Sequence, residues 1–211
     1  MSLEVTWLGH SSFRVVVDES FVVYIDPWDV ERPDKANLIL ITHSHYDHLS
    51  VKDVNKLRDD ATRVLVPPDG LGKLTGQVTA VHRGETYHIG PVDVSTVAAY
   101  SVGKSYHPDS EGWVGYCLSA GDKSIYHAGD TDLIPEMDDI RADVALLPIG
   151  GTYTMNVEEA LYALTKIRPR VVIPMHFGKI IGSSEDATRF AQQAPSNVEV
   201  RVLAVGETTC F

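Results

Sequence analysis

Residues Thr42-His43-Ser44-His45-Tyr46-Asp47-His48 follow directly on the apolar run Leu38-Ile39-Leu40-Ile41. An unbroken aliphatic run of this length reads as a strand buried on both faces. It ends where three imidazoles and a carboxylate (His43, His45, Asp47, His48) leave the sheet together. The fold must therefore place a sheet interior on one side of this point and converging nitrogen and oxygen donors on the other. Neutral imidazole and carboxylate are the ligand set of Zn²⁺, Mn²⁺ or Fe²⁺. Four donors on one turn exceed what one ion readily takes from so short a segment, so the spacing predicts a two-metal site. The bland alternative is a polar loop that happens to be rich in histidine. With nine histidines in the whole chain, three of them here, the specific reading is favoured.

Composition limits what surrounds this cluster. The 211 residues are 44% apolar, enough for one sizeable core and one domain over residues 1–211. A net charge of −11 argues against a nucleic-acid or anionic-membrane partner. The segment Met1–Trp7 has neither the basic nor the apolar region of a signal peptide, and no stretch approaches a membrane span. Cys117 and Cys210 stand far apart and outside any ligand spacing. They read as reduced, semi-buried thiols, which fits a cytoplasmic protein. A small-molecule substrate is the expected partner, and a homo-oligomer is compatible with the sequence.

Short apolar runs at Val5–Leu8, Phe13–Val17, Phe21–Ile25 and Leu38–Ile41 predict strands, followed by a short helix capped by Ser50 with Asp53 in capping-box spacing. Further strands are expected at Arg63–Val66, Val78–Val81, Thr86–Ile89 and Val92–Ala98. A hairpin over Gly115–Ser119 and Ser124–His127 follows, then strands at Val144–Leu147, Val171–Pro174 and Val198–Val202. Asn156 caps a helix whose apolar face is Val157, Ala160, Leu161, Leu164 and Ile167, and Ser184 caps a last helix that stops at Pro195. Two packed sheets with helices outside would bury all of these faces. Three of the strands run straight into a potential ligand: His43, Asp130 and His176. Loops at the C-terminal ends of strands are where open α/β sheets assemble their sites.

The histidine cluster, Gly129-Asp130-Thr131 and Pro174-Met175-His176, in this order, resemble the metallo-β-lactamase superfamily. Trp7-Leu8-Gly9-His10 and Asp26-Pro27 are similar to the entry segments of its small metal-dependent hydrolase branch, which includes ascorbate-phosphate-lactonase-like proteins. The resemblance covers nearly the whole chain. It implies an α/β fold of αββα four-layer sandwich type, one metallo-β-lactamase-like domain, and two divalent ions. Zn²⁺ or Mn²⁺ come first, with Fe²⁺ or Ni²⁺ as further candidates. By this resemblance His43 and His45 hold the first metal, Asp47, His48 and His176 the second, and Asp130 bridges both; Asp47 and Asp130 are the catalytic candidates. Asp26 matches the strand-end acid that orients the cluster by hydrogen bonds. The implied chemistry is attack on a carbonyl or phosphoryl centre by a hydroxide made available near neutral pH.

One element departs from the family pattern. A further histidine for the first metal is expected after Val92–Ala98, where this chain reads Ala99-Tyr100-Ser101. His107 and His10 are the two candidates to replace it, the alternatives being a loop residue for His107 and a hydrogen-bonding support for His10. His82 and His88 read as surface residues, and His127 as a core or supporting residue. Gly150-Gly151-Thr152-Tyr153-Thr154 reads as a turn near the rim. Lys104 and Lys179 could meet an anionic substrate, although isolated lysines are usually solvated.

The expected activity is metal-dependent hydrolysis of a small-molecule ester, lactone or phosphoester. The alternatives are a mononuclear iron enzyme of the persulfide dioxygenase kind and a non-catalytic metal-binding protein. A diiron flavoprotein-like oxidoreductase is disfavoured, because that branch places an acid where His45 stands. The best-known zinc β-lactamases would want a cysteine in place of Asp130.

Overall fold

The computed structural model describes residues 1–31 and 34–211. Fourteen strands form two seven-stranded sheets. The first contains β1 (Leu3–Gly9), β2 (Ser12–Val17), β3 (Phe21–Ile25), β4 (Leu38–Leu40), β5 (Arg63–Val66), β6 (Gln77–Ala80) and β14 (Thr208–Cys210), in the order β14-β1-β2-β3-β4-β5-β6. The second contains β7 (Thr86–Ile89), β8 (Val92–Ala98), β9 (Val114–Ala120), β10 (Lys123–His127), β11 (Val144–Pro148), β12 (Val171–Met175) and β13 (Glu199–Val200), in the order β13-β12-β11-β10-β9-β8-β7. Each sheet is antiparallel along its hairpins and parallel beyond, from β3 to β6 in one and from β10 to β13 in the other.

Side-chain alternation along a strand explains the layering. Leu38 and Leu40 point into the core between the sheets, where they join Phe13, Val15, Tyr116, Leu146 and Ile173. Ile39 and Ile41 point the other way and pack with Val54 and Leu57 of α1 (Val51–Leu57). On the outer face of the second sheet, α3 (Val157–Ile167) lays Val157, Ala160, Leu164 and Ile167 into the core, and α4 (Ser184–Gln193) packs beside it. Burial of each large aliphatic side chain contributes about 1.5–3 kcal/mol. The result is an αββα sandwich, as the sequence predicts. Among the described residues, no helix is long and apolar enough to cross a membrane.

Several boundaries differ from the sequence reading. The last helix is capped by Ser183, whose hydroxyl accepts from Asp186 N–H while Asp186 reaches back to Ser183 N–H. Pro67-Pro68 does more than stop β5: Pro68 starts the one-turn helix α2 (Pro68–Leu71), where a missing N–H costs nothing. The strand expected at Val198–Val202 shrinks to Glu199–Val200. β14 escapes the sequence because Thr208-Thr209-Cys210 carries no apolar alternation; it is recruited by pairing with β1 at Glu4↔Cys210. Both cysteines are free, Cys117 half-buried and Cys210 exposed.

Candidate metal centre

Five segments meet above the strand ends of both sheets. After β4 the chain is pinned on both sides: Ile41 N–H donates to Leu65 O at 2.9 Å, and Thr42 O accepts from Val114 N–H at 3.1 Å. Leu49 N–H then returns to His45 O at 2.8 Å, closing a compact turn that gathers His43, His45, Asp47 and His48. His10 sits on the tight turn between β1 and β2, and His176 directly follows β12. His10, Asp26 and His176 all adopt left-handed backbone, with φ of 52°, 47° and 58°. Such conformations cost about 1–3 kcal/mol each and persist where neighbours over-determine them. Here the His10 carbonyl accepts from both the Trp7 indole N–H (2.9 Å) and His176 N–H (3.0 Å), locking two of these turns together.

Two glycines make room for the site. Gly129 (φ +65°) lies so close that a Cβ would stand 3.1 Å from both the Thr42 side chain and the Val114 carbonyl. A Cβ on Gly150 would stand 2.4 Å from the His176 carbonyl oxygen. These close approaches bring Asp130 and His176 to their positions.

Asp130 is the hub. One carboxylate oxygen, Oδ1, faces His48 Nε2 at 3.3 Å; the other, Oδ2, faces His176 Nε2 at 3.0 Å and His107 Nε2 at 3.3 Å. His43 Nε2 and His45 Nδ1 stand 3.1 Å apart, and His10 Nε2 lies 3.0 Å from Asp47 Oδ2. Donor atoms fall into three overlapping groups, each within 4.8 Å: His10, Asp47, His48 and His176; His43, His45 and His107; His43, His48 and Asp130. Every candidate ligand named from sequence is in this cluster, and both candidates for the missing family histidine reach it from opposite sides.

The hydrogen bonds behind the cluster set its protonation. Asp26 is fully buried and accepts from Thr42 N–H (2.7 Å), Thr42 Oγ1–H (2.6 Å) and His48 Nδ1 (2.7 Å). Carboxylate can only accept, so His48 carries its proton on Nδ1 and aims Nε2 at Asp130. His107 Nδ1 likewise donates to Tyr153 O at 3.1 Å, which aims its Nε2 at the same carboxylate. In this tautomer each Nε2 turns its lone pair toward a carboxylate oxygen across 3.3 Å, a repulsion that a cation between them would relieve. His10 Nδ1, His48 Nε2, His107 Nε2, Asp130 Oδ1 and His176 Nδ1 are all buried without a hydrogen-bond partner among the described residues. Of these, His48 Nε2, His107 Nε2 and Asp130 Oδ1 face into the cluster, and buried, unpartnered atoms of this chemistry fit divalent metal.

Charge states agree with that demand. Burial opposes a charge on His48, but Asp130 and Asp26 outweigh it and push its pKa well above the usual range, so the two carboxylates favour a positive charge, proton or metal ion, at its Nε2. Burial alone would raise the Asp130 carboxyl; His176 and His48 outweigh it and keep it well below the carboxylate range. Burial lowers His43 strongly, with His48 adding to the effect, and also lowers His45, His10 and His107. Neutral imidazoles ready to ligate therefore surround one point of concentrated negative charge.

Other residues take supporting parts. His127, lowered by burial, donates from Nε2 to Ser11 O (2.9 Å) and accepts Gly129 N–H at Nδ1 (3.2 Å), so it braces the turn before Asp130. His82 and His88 are exposed. Lys104 does not point to solvent or substrate: its ammonium meets Asp132 Oδ1 (2.5 Å), Thr154 O (2.9 Å) and Gly151 O (3.3 Å). Lys179 pairs with Asp29 at 2.5 Å and lies 4.4 Å above the Trp28 ring. Segment 150–154 contributes carbonyls and the Tyr153 ring. Trp113, Asp69 and Asp132 carry no ligand signal in the sequence. Trp113 packs on His43 and His45, with ring centroids at 4.9 and 4.8 Å, and its indole N–H donates to Asp69 at 3.0 Å.

The fold and this cluster define a metal-dependent hydrolase of the metallo-β-lactamase superfamily, to which the chain belongs: residues 4–176 match the Beta-lactamase superfamily domain. Within it, the chain is 33% identical over 233 residues to a UPF0173 metal-dependent hydrolase of Koribacter versatilis, covering 98% of this chain and 97% of that protein. It is 32% identical over 220 residues to a UPF0173 metal-dependent hydrolase of Caldivirga maquilingensis, with 95% of each chain covered. Among solved structures it is similar to Igni18, a metallo hydrolase of Ignicoccus hospitalis, at TM-score 0.85 and 30% identity over 100% of this chain and 99% of that one.

Proposed function

We propose that the protein hydrolyses a small neutral ester or lactone at a binuclear metal site. The observation that carries this reading is the placement of Asp130, with Oδ1 toward His48 and Oδ2 toward His176 and His107. In this reading His43, His45 and His107 would hold one ion, Asp47, His48 and His176 would hold the other, and Asp130 would be shared between them. His10 donates to Asp47 and orients it. Two bound divalent ions, Zn²⁺ or Mn²⁺ first and Fe²⁺ or Ni²⁺ next, supply a water of lowered pKa and stabilise a developing oxyanion. The chain's own part is to fix the imidazoles in one tautomer, through Asp26 and the Tyr153 carbonyl, and to exclude competing protons.

The cleft over these residues, about 250 Å³, favours a neutral substrate with an apolar substituent over a phosphoester. Its outer wall is Tyr46, Tyr106, Tyr153 and Ile180, and Tyr46, Tyr106 and Ile180 are exposed. Neither lysine near the rim is free to meet a phosphate, since Lys104 spends its three donors internally and Lys179 is paired. Apolar and aromatic walls with few polar groups suit small acyl or aryl groups.

The test is to load the protein separately with zinc and manganese and assay aryl esters, lactones, and phosphomono- and diesters. Ester or lactone turnover that disappears on chelation is expected. Turnover confined to phosphoesters contradicts the substrate reading. Oxygen consumption with one iron per chain contradicts the hydrolytic one.

A further inference from the structure

We propose that Lys104 and Asp132 form a strap that positions His107, and that this strap is how the chain fills the place of the missing family histidine. The proposal rests on reading His107 as a metal-site residue. His107 is carried on the long connection between β8 and β9, residues 99–113. A segment of this length has to be tied down if it is to hold a side chain to within a fraction of an ångström.

The ties are visible and converge on Asp132. Asp132 N–H donates to Tyr100 O at 2.9 Å, fixing the point where the segment leaves the sheet. Asp132 Oδ2 accepts Val102 N–H at 2.8 Å, and Oδ1 takes the Lys104 ammonium at 2.5 Å. The remaining Lys104 donors reach Thr154 O and Gly151 O on the facing segment, whose Tyr153 carbonyl fixes the His107 tautomer. Ser101 N–H closes the excursion onto His107 O at 2.7 Å. Ser101 and His107 are buried at its two ends, while Val102, Gly103, Ser105 and Tyr106 between them are exposed. Lys104 is thus the inward anchor of this stretch, and Asp132, 3% exposed, is its fixed end. The same segment of chain that supplies Asp130 supplies the anchor two residues later, so Asp130 and His107 are positioned from one point.

A charge-assisted pair with every donor satisfied, one member of it buried, is worth more than an exposed surface pair. Groups that orient a metal-bound imidazole change metal affinity roughly 10- to 100-fold when removed. Lys104→Met keeps the aliphatic stem and removes the charge; Asp132→Asn keeps the shape; Lys104→Arg restores a cation. Each variant, with His107→Ala and the wild type, is loaded with cobalt and dialysed. Metal per chain and the visible absorption spectrum are recorded, alongside the melting temperature of the metal-free protein.

Lys104→Met and Asp132→Asn are each expected to bind one of two ions about tenfold or more weakly, with the spectrum shifted toward that of His107→Ala. Lys104→Arg should recover most of the affinity, and the metal-free melting temperature should change little. Two ions held at wild-type affinity in Lys104→Met and in Asp132→Asn, while His107→Ala loses one, would overturn the strap and leave the two-metal reading intact. If His107→Ala itself keeps both ions, the reading of His107 as a ligand falls, and the strap with it. If Lys104→Met does not fold, the Asp132→Asn and Lys104→Arg pair decides by the same measurements.

Discussion

The two halves of the metal centre are built differently. Asp47, His48 and His176, with His10 bonded to Asp47, hang from tight turns at the ends of β1, β4 and β12, and their donors include a carboxylate. His43, His45 and His107 offer three imidazoles, and His107 arrives on a long connection held by polar bonds. A strand end is rigid because the ladder beside it is rigid. A long loop is only as rigid as its tethers. The strand-anchored half should therefore hold its ion more tightly, and the strapped half should be where occupancy, and with it activity, is won or lost.

Four results would break or sharpen this contrast. The largest effect should follow Asp130→Ala, which removes the carboxylate that faces both halves. Loss of several kcal/mol of transition-state stabilisation corresponds to about 10³-fold or more in kcat/KM, and steady-state kinetics on the metal-loaded variant checks it. Retained activity would end the bridging role.

Asp26→Asn comes next and acts on the strand-anchored half. Asp26 accepts Thr42 N–H at Oδ1 and the Thr42 hydroxyl and His48 at Oδ2; an amide keeps only one accepting position, and if its NH₂ faces His48 the imidazole is forced into the wrong tautomer. Metal affinity should fall roughly 10- to 100-fold, measured by competition with a chromophoric chelator. An unchanged affinity would mean that Asp26 is structural only.

Gly150→Ala tests packing against the same half. Its new Cβ would stand 2.4 Å from the His176 carbonyl oxygen and 2.7 Å from the Ile181 side chain. Overpacking of this kind costs about 1–3 kcal/mol, so the midpoint of urea unfolding should drop and His176 should shift. Full stability would show that the His176 turn is softer than its left-handed backbone suggests.

The smallest effect concerns the thiols, which lie outside both halves and so act as a control. Burial pushes the Cys117 thiol up to about 12, so it stays protonated at pH 8, while Cys210 is exposed. A thiol reagent should label about one cysteine per native chain, with no loss of bound metal. Rapid labelling of both would mean that the second sheet opens at its centre.

Much of this was legible in the sequence, and the reasons are physical. The Leu38–Ile41 run and the cluster after it carry a period and a chemistry that few other structures satisfy. The Asn156 cap and the apolar face of α3 are equally local signals. Asp26, His48 and Asp130 followed from family order, and the structure adds the hydrogen bonds that set their protonation. What stayed hidden depends on contacts between distant segments. β14 forms because β1 needs a partner at its edge, with nothing apolar in Thr208-Thr209-Cys210 to announce it. Lys104 read as a solvated or substrate-facing cation, since its partners Asp132, Thr154 and Gly151 are far away in sequence. The choice between His10 and His107 could not be made on spacing, because each reaches the cluster through a loop or turn whose course only the fold defines.

The two-ion site proposed here would have one strong and one weak half. It is tested most directly by titrating zinc-loaded protein with a chelator and recording metal per chain by elemental mass spectrometry together with ester hydrolysis. About two equivalents at the start and a stepwise loss are expected. Activity should vanish with the first ion, while about one remains bound. A single equivalent at the outset, or one concerted loss with no plateau, would contradict it.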